Sequence, residues 1–220
     1  MSIMINVDKI FIINLDSRPD RLKNITDDLQ KHSIVNYERF SAIRPTADML
    51  NTTYKRYLNK HAELPYRIGA LGCMLNHIGI IKIAKEMNYK KILILEDDCE
   101  IINDNIINII NDSLCQLEEI NNKFMMLYLS GNHKRKYEQK SKNVAKINRT
   151  YTTHSYIVTE NAYDIILHDL NECRSEIDYY YARIFHPKYD CYCTIPSLTT
   201  QKKGYSDIFN RNVDYSNCIK

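Results

Sequence analysis

Two short, isoleucine-rich runs constrain this chain most: KIFIINL at 9–15 and KILILE at 91–96. They have the length of strands, not of helices, and such apolar strands must be covered on both faces. YERFSAI from Tyr37, FMMLYLS from Phe124 and SYIVT at 155–159 read as further strands. Helical patterns lie between them. DSRPDRLKNITDDLQKH from Asp16 puts Leu22, Ile25 and Leu29 on one stripe, with Asp16 or Ser17 to cap it and Pro19 at an early helical position. GALGCMLNHIGIIKIAKEMNY at 69–89 repeats the pattern through Leu71, Leu75, Ile78 and Ile81. Residues 104–121 and NAYDIILHDL are helical, and EIDYYYARIF is a helix or a tight connection. Strands alternating with helices predict an α/β fold, a mostly parallel sheet flanked by helices. No repeat, linker or composition break divides residues 1–220, so one domain is expected. The polar stretch 46–66 and the tail after Gly204 carry no clear pattern, and the basic HKRKYEQKSKNVAK at 133–146 reads as a mobile, solvated loop.

KILILE runs directly into Glu96, Asp97 and Asp98. Two carboxylates ~5 Å apart repel by roughly 3 kcal/mol at an effective dielectric near 20. Solvent, a helix N-terminus, an arginine or a metal ion must offset that. In open α/β sheets ligands bind at the carboxyl ends of strands, which is where these acids fall. Strand alternation points Glu96 and Asp98 to one side and Asp97 to the other. Two carboxylates on one side suit a hard divalent cation that also bridges to phosphates. The plainer alternative has Asp98 capping the next helix and its neighbours solvated. After the first strand, Arg18 and Arg21 flank a helix N-terminus, a combination suited to a diphosphate. The alternative pairs them with Asp16 and Asp20.

A net charge of +3 does not by itself imply nucleic-acid binding, and no nucleic-acid motif is present. No signal peptide and no transmembrane segment are read. Seven irregularly spaced cysteines argue against a disulfide framework. CYC at 191–193 is taken to point its thiols to opposite faces of a strand, poor geometry for a metal clip. Free thiols point to a reducing, cytoplasmic location.

Five blocks occur in order: IFIINLDSRPDRL, GALGCMLNHIGIIKIA, ILILEDDCEI, EIDYYYARIFHP and IPSLTTQKKGYSDI. Together, over about residues 8–209, they resemble glycosyltransferase family 25, whose members include lipopolysaccharide sugar transferases and procollagen galactosyltransferases. The resemblance implies a GT-A-type, Rossmann-like fold and inverting transfer from a UDP-hexose, glucose or galactose. It also implies Mn²⁺ or Mg²⁺, and a glycan or glycoprotein acceptor, collagen-like hydroxylysine included. The family block NLxRRxDR is NLDSRPDR here: Asn14, Arg18 and Arg21 match, and Ser17 replaces an arginine. GCxxSH is GCMLNH, keeping Gly72 and His77 with Asn76 in place of serine. The acidic triplet is intact, Asp178 follows Ile177, and Pro196, Gln201 and Ser206 close the set.

The roles implied are these. Glu96 and Asp98 bind metal, with His186 as a further ligand. Asp178 is the base that takes the acceptor proton, and Asp97 its reserve. Asn14, Arg18, Arg21, Gly72, Asn76, His77 and Gln201 surround the donor. Each has a structural counterpart: Asp178 as an N-cap or paired to Arg174 or Arg183, His77 as a hydrogen-bonded core group, His186 and Gln201 as surface residues. Tyr179, Tyr180 and Tyr181 cannot share one helical face, so at least one packs. The competing function is a sugar-binding protein that kept the fold without catalysis; the intact acids count against it.

Overall fold

The computed structural model describes residues 4–54, 62–172, 175–209, 211–215 and 218. β1 (Lys9–Leu15) leads into α1 (Pro19–Lys31), β2 (Glu38–Ala42), the short α2 (Ala47–Asn51) and the long α3 (Leu64–Glu86). Next come β3 (Lys91–Glu96), β4 (Cys99–Ile101), α4 (Ile106–Asn121) and β5 (Met126–Tyr128). The short strands β6 (Asn132–His133), β7 (Glu138–Gln139), β8 (Val144–Ile147) and β9 (Thr150–Tyr151) precede β10 (Ser155–Thr159) and α5 (Glu160–Glu172). α6 (Ile177–Tyr180) widens into a π-helical turn at Tyr181–Phe185, followed by β11 (Cys191–Thr194), β12 (Thr199–Gln201), β13 (Gly204–Ser206) and β14 (Arg211–Val213).

Among the described residues, eight strands form one sheet in the order β2-β1-β3-β10-β5-β11-β8-β7. β10 and β8 run against the other six, so the sheet is mostly parallel, as predicted. Alternation along the strands divides the core into two. Phe11, Ile92 and Ile94 face α3, α5 and the π-helical turn, while Ile10, Ile12, Leu93 and Leu95 face α1 and α4. The result is a helix–sheet–helix sandwich. α3 is the one described helix long and apolar enough to cross a membrane, but it supplies Leu71, Met74, Ile80, Ile81 and Ala84 to the first core.

Three pairings position the site. β1 runs beside β3 with Ile13 opposite Glu96, so Asn14 and the start of α1 lie next to the acids. β10 enters between β3 and β5 with Ser155 opposite Leu95. An antiparallel strand begins where its neighbour ends, and residues 152–154 therefore arrive at the acidic end of β3. β4 pairs with β12, Cys99 opposite Gln201, which brings Gln201 beside Asp98.

Three readings of the sequence need correction. Residues 133–146 are not a free loop: β7 and β8 close one edge of the sheet, and β6 pairs with β9. Cys191 and Cys193 face the same core with Tyr192 in the other, because residues two apart on a strand share a face. The tail after Gly204 forms the β13–β14 hairpin. Cys173 and Arg174 lie outside the described residues, as do residues 55–61 of the unassigned stretch 46–66.

Candidate functional site

The three carboxylates have three different surroundings. Glu96 follows the side-chain direction of Ile92 and Ile94 toward α3. Its Oε1 accepts from His77 Nε2 at 3.1 Å and from the Thr153 hydroxyl at 2.6 Å. His77 is fully buried, and its Nδ1 meets the Tyr156 hydroxyl at 2.9 Å. An ionised carboxylate only accepts, so His77 donates through Nε2. Burial works against the Glu96 charge, but the bond and charge of His77 and the Thr153 hydroxyl outweigh it and hold the carboxyl below its ordinary pKa.

Asp97 turns toward β1 and α1. Its two oxygens are taken by Asn14 Nδ2 at 2.8 Å and Arg21 Nη1 at 2.9 Å. Burial still raises its pKa, with Arg21 pulling the other way. Asn14 is fixed in turn: its Oδ1 accepts from Arg39 at 3.0 Å and its Nδ2 also donates to the Arg18 carbonyl at 2.9 Å.

Asp98 has the least compensation. Its Oδ1 is buried without a hydrogen-bond partner, and Gln201 Nε2 lies at 3.5 Å from Oδ2. Burial first, then the Glu96 charge, push its carboxyl up to about 7. It caps no helix, since α4 begins at Ile106. A buried carboxylate oxygen beside a second carboxylate fits a hard cation, which would partner the orphaned oxygen and offset the shared negative charge. Cys73 Sγ, His77 and Glu96 also have ligand atoms within 4.8 Å of one another. Burial raises the Cys73 thiol well above its ordinary pKa, and His77 is already committed to Glu96, so the Asp98 oxygens are the better match.

Arg18 and Arg21 converge with Arg44 on Asp207. Arg18 Nη1 donates to its carboxylate, Arg21 lies at 3.9 Å and Arg44 at 4.0 Å. Arg21 also donates to the Tyr205 carbonyl. The tail is thus drawn over the mouth of the site. α3 admits it at Gly69, where a Cβ would lie 2.8 Å from Ile208 Cα. Gly72 serves the neighbouring approach: a Cβ there would meet Pro45 at 3.0 Å and the Ile43 carbonyl at 3.3 Å. The Asn76 carboxamide bonds both Ile43 N at 2.9 Å and Ile43 O at 3.1 Å, fixing the segment that carries Arg44. Gly72 and Asn76 therefore shape the wall through the backbone of residues 43–45.

Two clefts meet at Glu96 and Cys73. The first is bounded by Asn14, Arg21, Arg44, Asp97, Asp98 and Asp207. The second, of about 560 Å³, holds Asp178, Thr152, Thr153, Gln201 and Tyr215. Asp178 lies in α6, and burial raises its carboxyl to about 6 against the backbone N–H groups of Tyr179 and Thr152. Among the described residues it makes no ion pair with Arg183. Thr152 has a φ of 76°, which a β-branched residue rarely adopts, and its hydroxyl is buried without a partner. His186 is not brought to either cleft. It is buried against Tyr128 and Tyr181, with Nδ1 accepting from Thr150 N at 3.3 Å, and burial lowers its pKa to about 3. Tyr180 and Tyr181 pack in the core while Tyr179 is exposed. Sequence reasoning gave no role to Cys73, Thr152, Thr153, Arg44 or Asp207. Cys73, inside the GCMLNH block, and Asp207, next to Ser206 in the last block, were the two that carried a signal.

Two tests follow from this geometry. A left-handed non-glycine residue costs ~1–2 kcal/mol, and glycine returns part of that through unfolded-state freedom. Thr152→Gly is therefore expected to raise stability by up to about 1 kcal/mol in urea unfolding; a lower midpoint would mean that Thr152 is not held against its preference. Between about pH 4 and 6 the folded protein keeps a proton on Asp178 that the unfolded chain has released. Stability should fall as pH rises through that window, and Asp178→Asn should flatten that part of a Tm profile. An unchanged profile in the variant would place the titration elsewhere.

The sequence profile described as glycosyltransferase family 25 (LPS biosynthesis protein) matches residues 7–181. An inferred glycosyltransferase of Haemophilus influenzae is 30% identical over 132 residues, spanning 59% of this chain and 44% of that protein. A glycosyltransferase 25 family member of Drosophila pseudoobscura pseudoobscura is 31% identical over 102 residues, 43% of this chain and 16% of that protein. The chain thus spans less than half the length of these curated relatives. Among solved structures, mannose-1-phosphate geranyltransferase from Thermus thermophilus superposes with a TM-score of 0.47 at 9% identity, over 91% of this chain and 76% of that one. With the family profile covering residues 7–181, the chain belongs to glycosyltransferase family 25.

Proposed function

We propose that this chain transfers glucose or galactose from a UDP-hexose to a glycan or hydroxylysine-type acceptor, with inversion and with a divalent cation held by Asp98 and Glu96. One observation carries the reading: a buried, unpartnered Asp98 oxygen beside Glu96, in the same cleft as Arg21, Arg44 and Asp207. Mn²⁺ or Mg²⁺ bound there would neutralise charge on the departing diphosphate. Arg18 and Arg21 bind the same diphosphate from the helix α1 side. Asn14 holds Asp97 and the Arg18 backbone in place for this. His77 keeps Glu96 ionised and oriented. His186 has no part in this site.

Inversion needs a base on the acceptor side. Asp97 has both oxygens committed, which leaves Asp178. Asp178 lines the second cleft, and a carboxyl near pKa 6 accepts a proton more readily than an ordinary aspartate while remaining largely ionised at neutral pH. The described cysteines are free, which supports a reducing, cytoplasmic setting.

The deciding experiment measures UDP release from UDP-glucose and UDP-galactose with Mn²⁺, with and without EDTA. Release should require metal and disappear in Asp98→Ala. Asp178→Asn should lower kcat by about 10²–10⁴-fold with UDP affinity unchanged. EDTA-insensitive release would remove the cation from the mechanism; metal-dependent UDP binding without turnover, even with candidate acceptors, would favour a sugar-binding protein. A second test concerns Asp207, which occupies the arginines that the diphosphate needs. Asp207→Asn is expected to tighten UDP binding about three- to tenfold. Weaker binding would mean that Asp207 organises the arginines instead of competing for them.

A further inference from the structure

The second cleft carries a positive wall that no described carboxylate pairs. In and around the first cleft the arginines are matched: Arg18 with Asp20 and Asp207, Arg21 with Asp97, Arg39 with Asp16. Lys134, Arg149 and Arg183 line the second cleft, and among the described residues none of them has a carboxylate within ion-pair distance. Lys134 and Arg149 are tied together across the hairpin by a backbone bond of 2.9 Å. Arg149 and Arg183 share one tyrosine: the Arg149 guanidinium lies 6.0 Å from the Tyr151 ring centre, and Arg183 Nε donates to the Tyr151 hydroxyl at 2.9 Å. Arg149 Nε is buried without a partner. The Arg183 guanidinium also lies 5.7 Å from the Tyr179 ring centre, so the two cations border one cleft from either end of Tyr151, and an oxyanion bound there would satisfy the orphaned donor.

The acids in this cleft do not fill that role. Glu96 is bound by His77 and Thr153, Glu176 accepts from the Tyr66 hydroxyl at 2.8 Å, and Asp178 takes backbone N–H groups. Charge is thus segregated within one cavity, carboxylates at one part and cations at another. A bound molecule carrying an anion is oriented by that segregation, because its charge is repelled from the carboxylates and drawn to Arg149 and Arg183. The remaining wall includes the rings of Tyr66, Phe209 and Tyr215, which suit the apolar faces of a saccharide, and about 560 Å³ accommodates a sugar or two.

We propose that the acceptor is a saccharide bearing an oxyanion, a carboxylate or a phosphate, which Arg149, Arg183 and Lys134 engage while the hydroxyl to be glycosylated faces Asp178. This rests on the proposed transfer reaction, and the test separates the two, since UDP binding reports on the donor half and sugar binding on the acceptor half. Binding of glucose, glucuronate and glucose 6-phosphate is compared by saturation-transfer NMR and calorimetry, with UDP titrated separately. At least one anionic sugar should bind about tenfold more tightly than glucose. The advantage should be lost in Arg149→Gln/Arg183→Gln, persist in part in Arg149→Lys/Arg183→Lys, and weaken with salt. A preference for glucuronate or for glucose 6-phosphate names the anion. UDP binding should be the same in both variants, which also shows that they fold. Equal or undetectable binding of all three sugars, or an advantage that survives the glutamine substitutions, overturns the proposal. Failure of wild-type protein to bind UDP would sink the donor reading while the sugar comparison still stands.

Discussion

The arrangement of this site depends on how the charge at the end of β3 is compensated. A buried strand delivers three consecutive carboxylates, and the fold answers each with a different element. His77 reaches Glu96 from α3, and Tyr156 on β10 holds the far side of the imidazole. Arg21 from α1 and Asn14 from β1 take Asp97. Asp98 is met only by a long contact from Gln201. The layers of the sandwich are therefore joined through polar groups at this end of the sheet as well as through its two apolar cores. The incompletely compensated carboxylate lies where the proposed cation and diphosphate would lie.

The main strands and helices were legible because their signal is local. KIFIINL, KILILE and SYIVT declare themselves by apolar content, and the α1 stripe by spacing; each is found where the pattern put it. What the sequence hid depends on distant partners. The basic stretch 133–146 looks solvated until Val144 to Ile147 pair with β11, some fifty residues later. The tail has no pattern of its own because an ion pair to arginines near the other end of the chain holds it. Residue identities in the candidate site came largely from family resemblance, their relations did not. Asn76 and Gly72 act through the backbone of residues 43–45, and His186 is drawn into the aromatic core by the π-helical turn that precedes it.

The two clefts also differ in how they are built. The first is assembled from strand ends and helix starts, where backbone geometry is fixed by the sheet. The second borrows its cationic rim from the β6–β9 hairpin and the π-helical turn. Strain is concentrated at the junction, in the left-handed Thr152 whose N–H is aimed at Asp178. Such strain persists only where surrounding structure over-determines it, and here β10 and β9 anchor both sides of the residue.

The antiparallel entry of β10 has an evolutionary corollary. Its side chains alternate between two sealed cores, so a slip of one residue would exchange every one of them. The spacing between Thr153 and Glu96 is thus inherited with the hydrophobic interior and cannot drift independently of it. The hairpin rim is under no such obligation. Residues of that rim can be exchanged without disturbing the interior, while the arrangement at the end of β3 is bound to it as a single block.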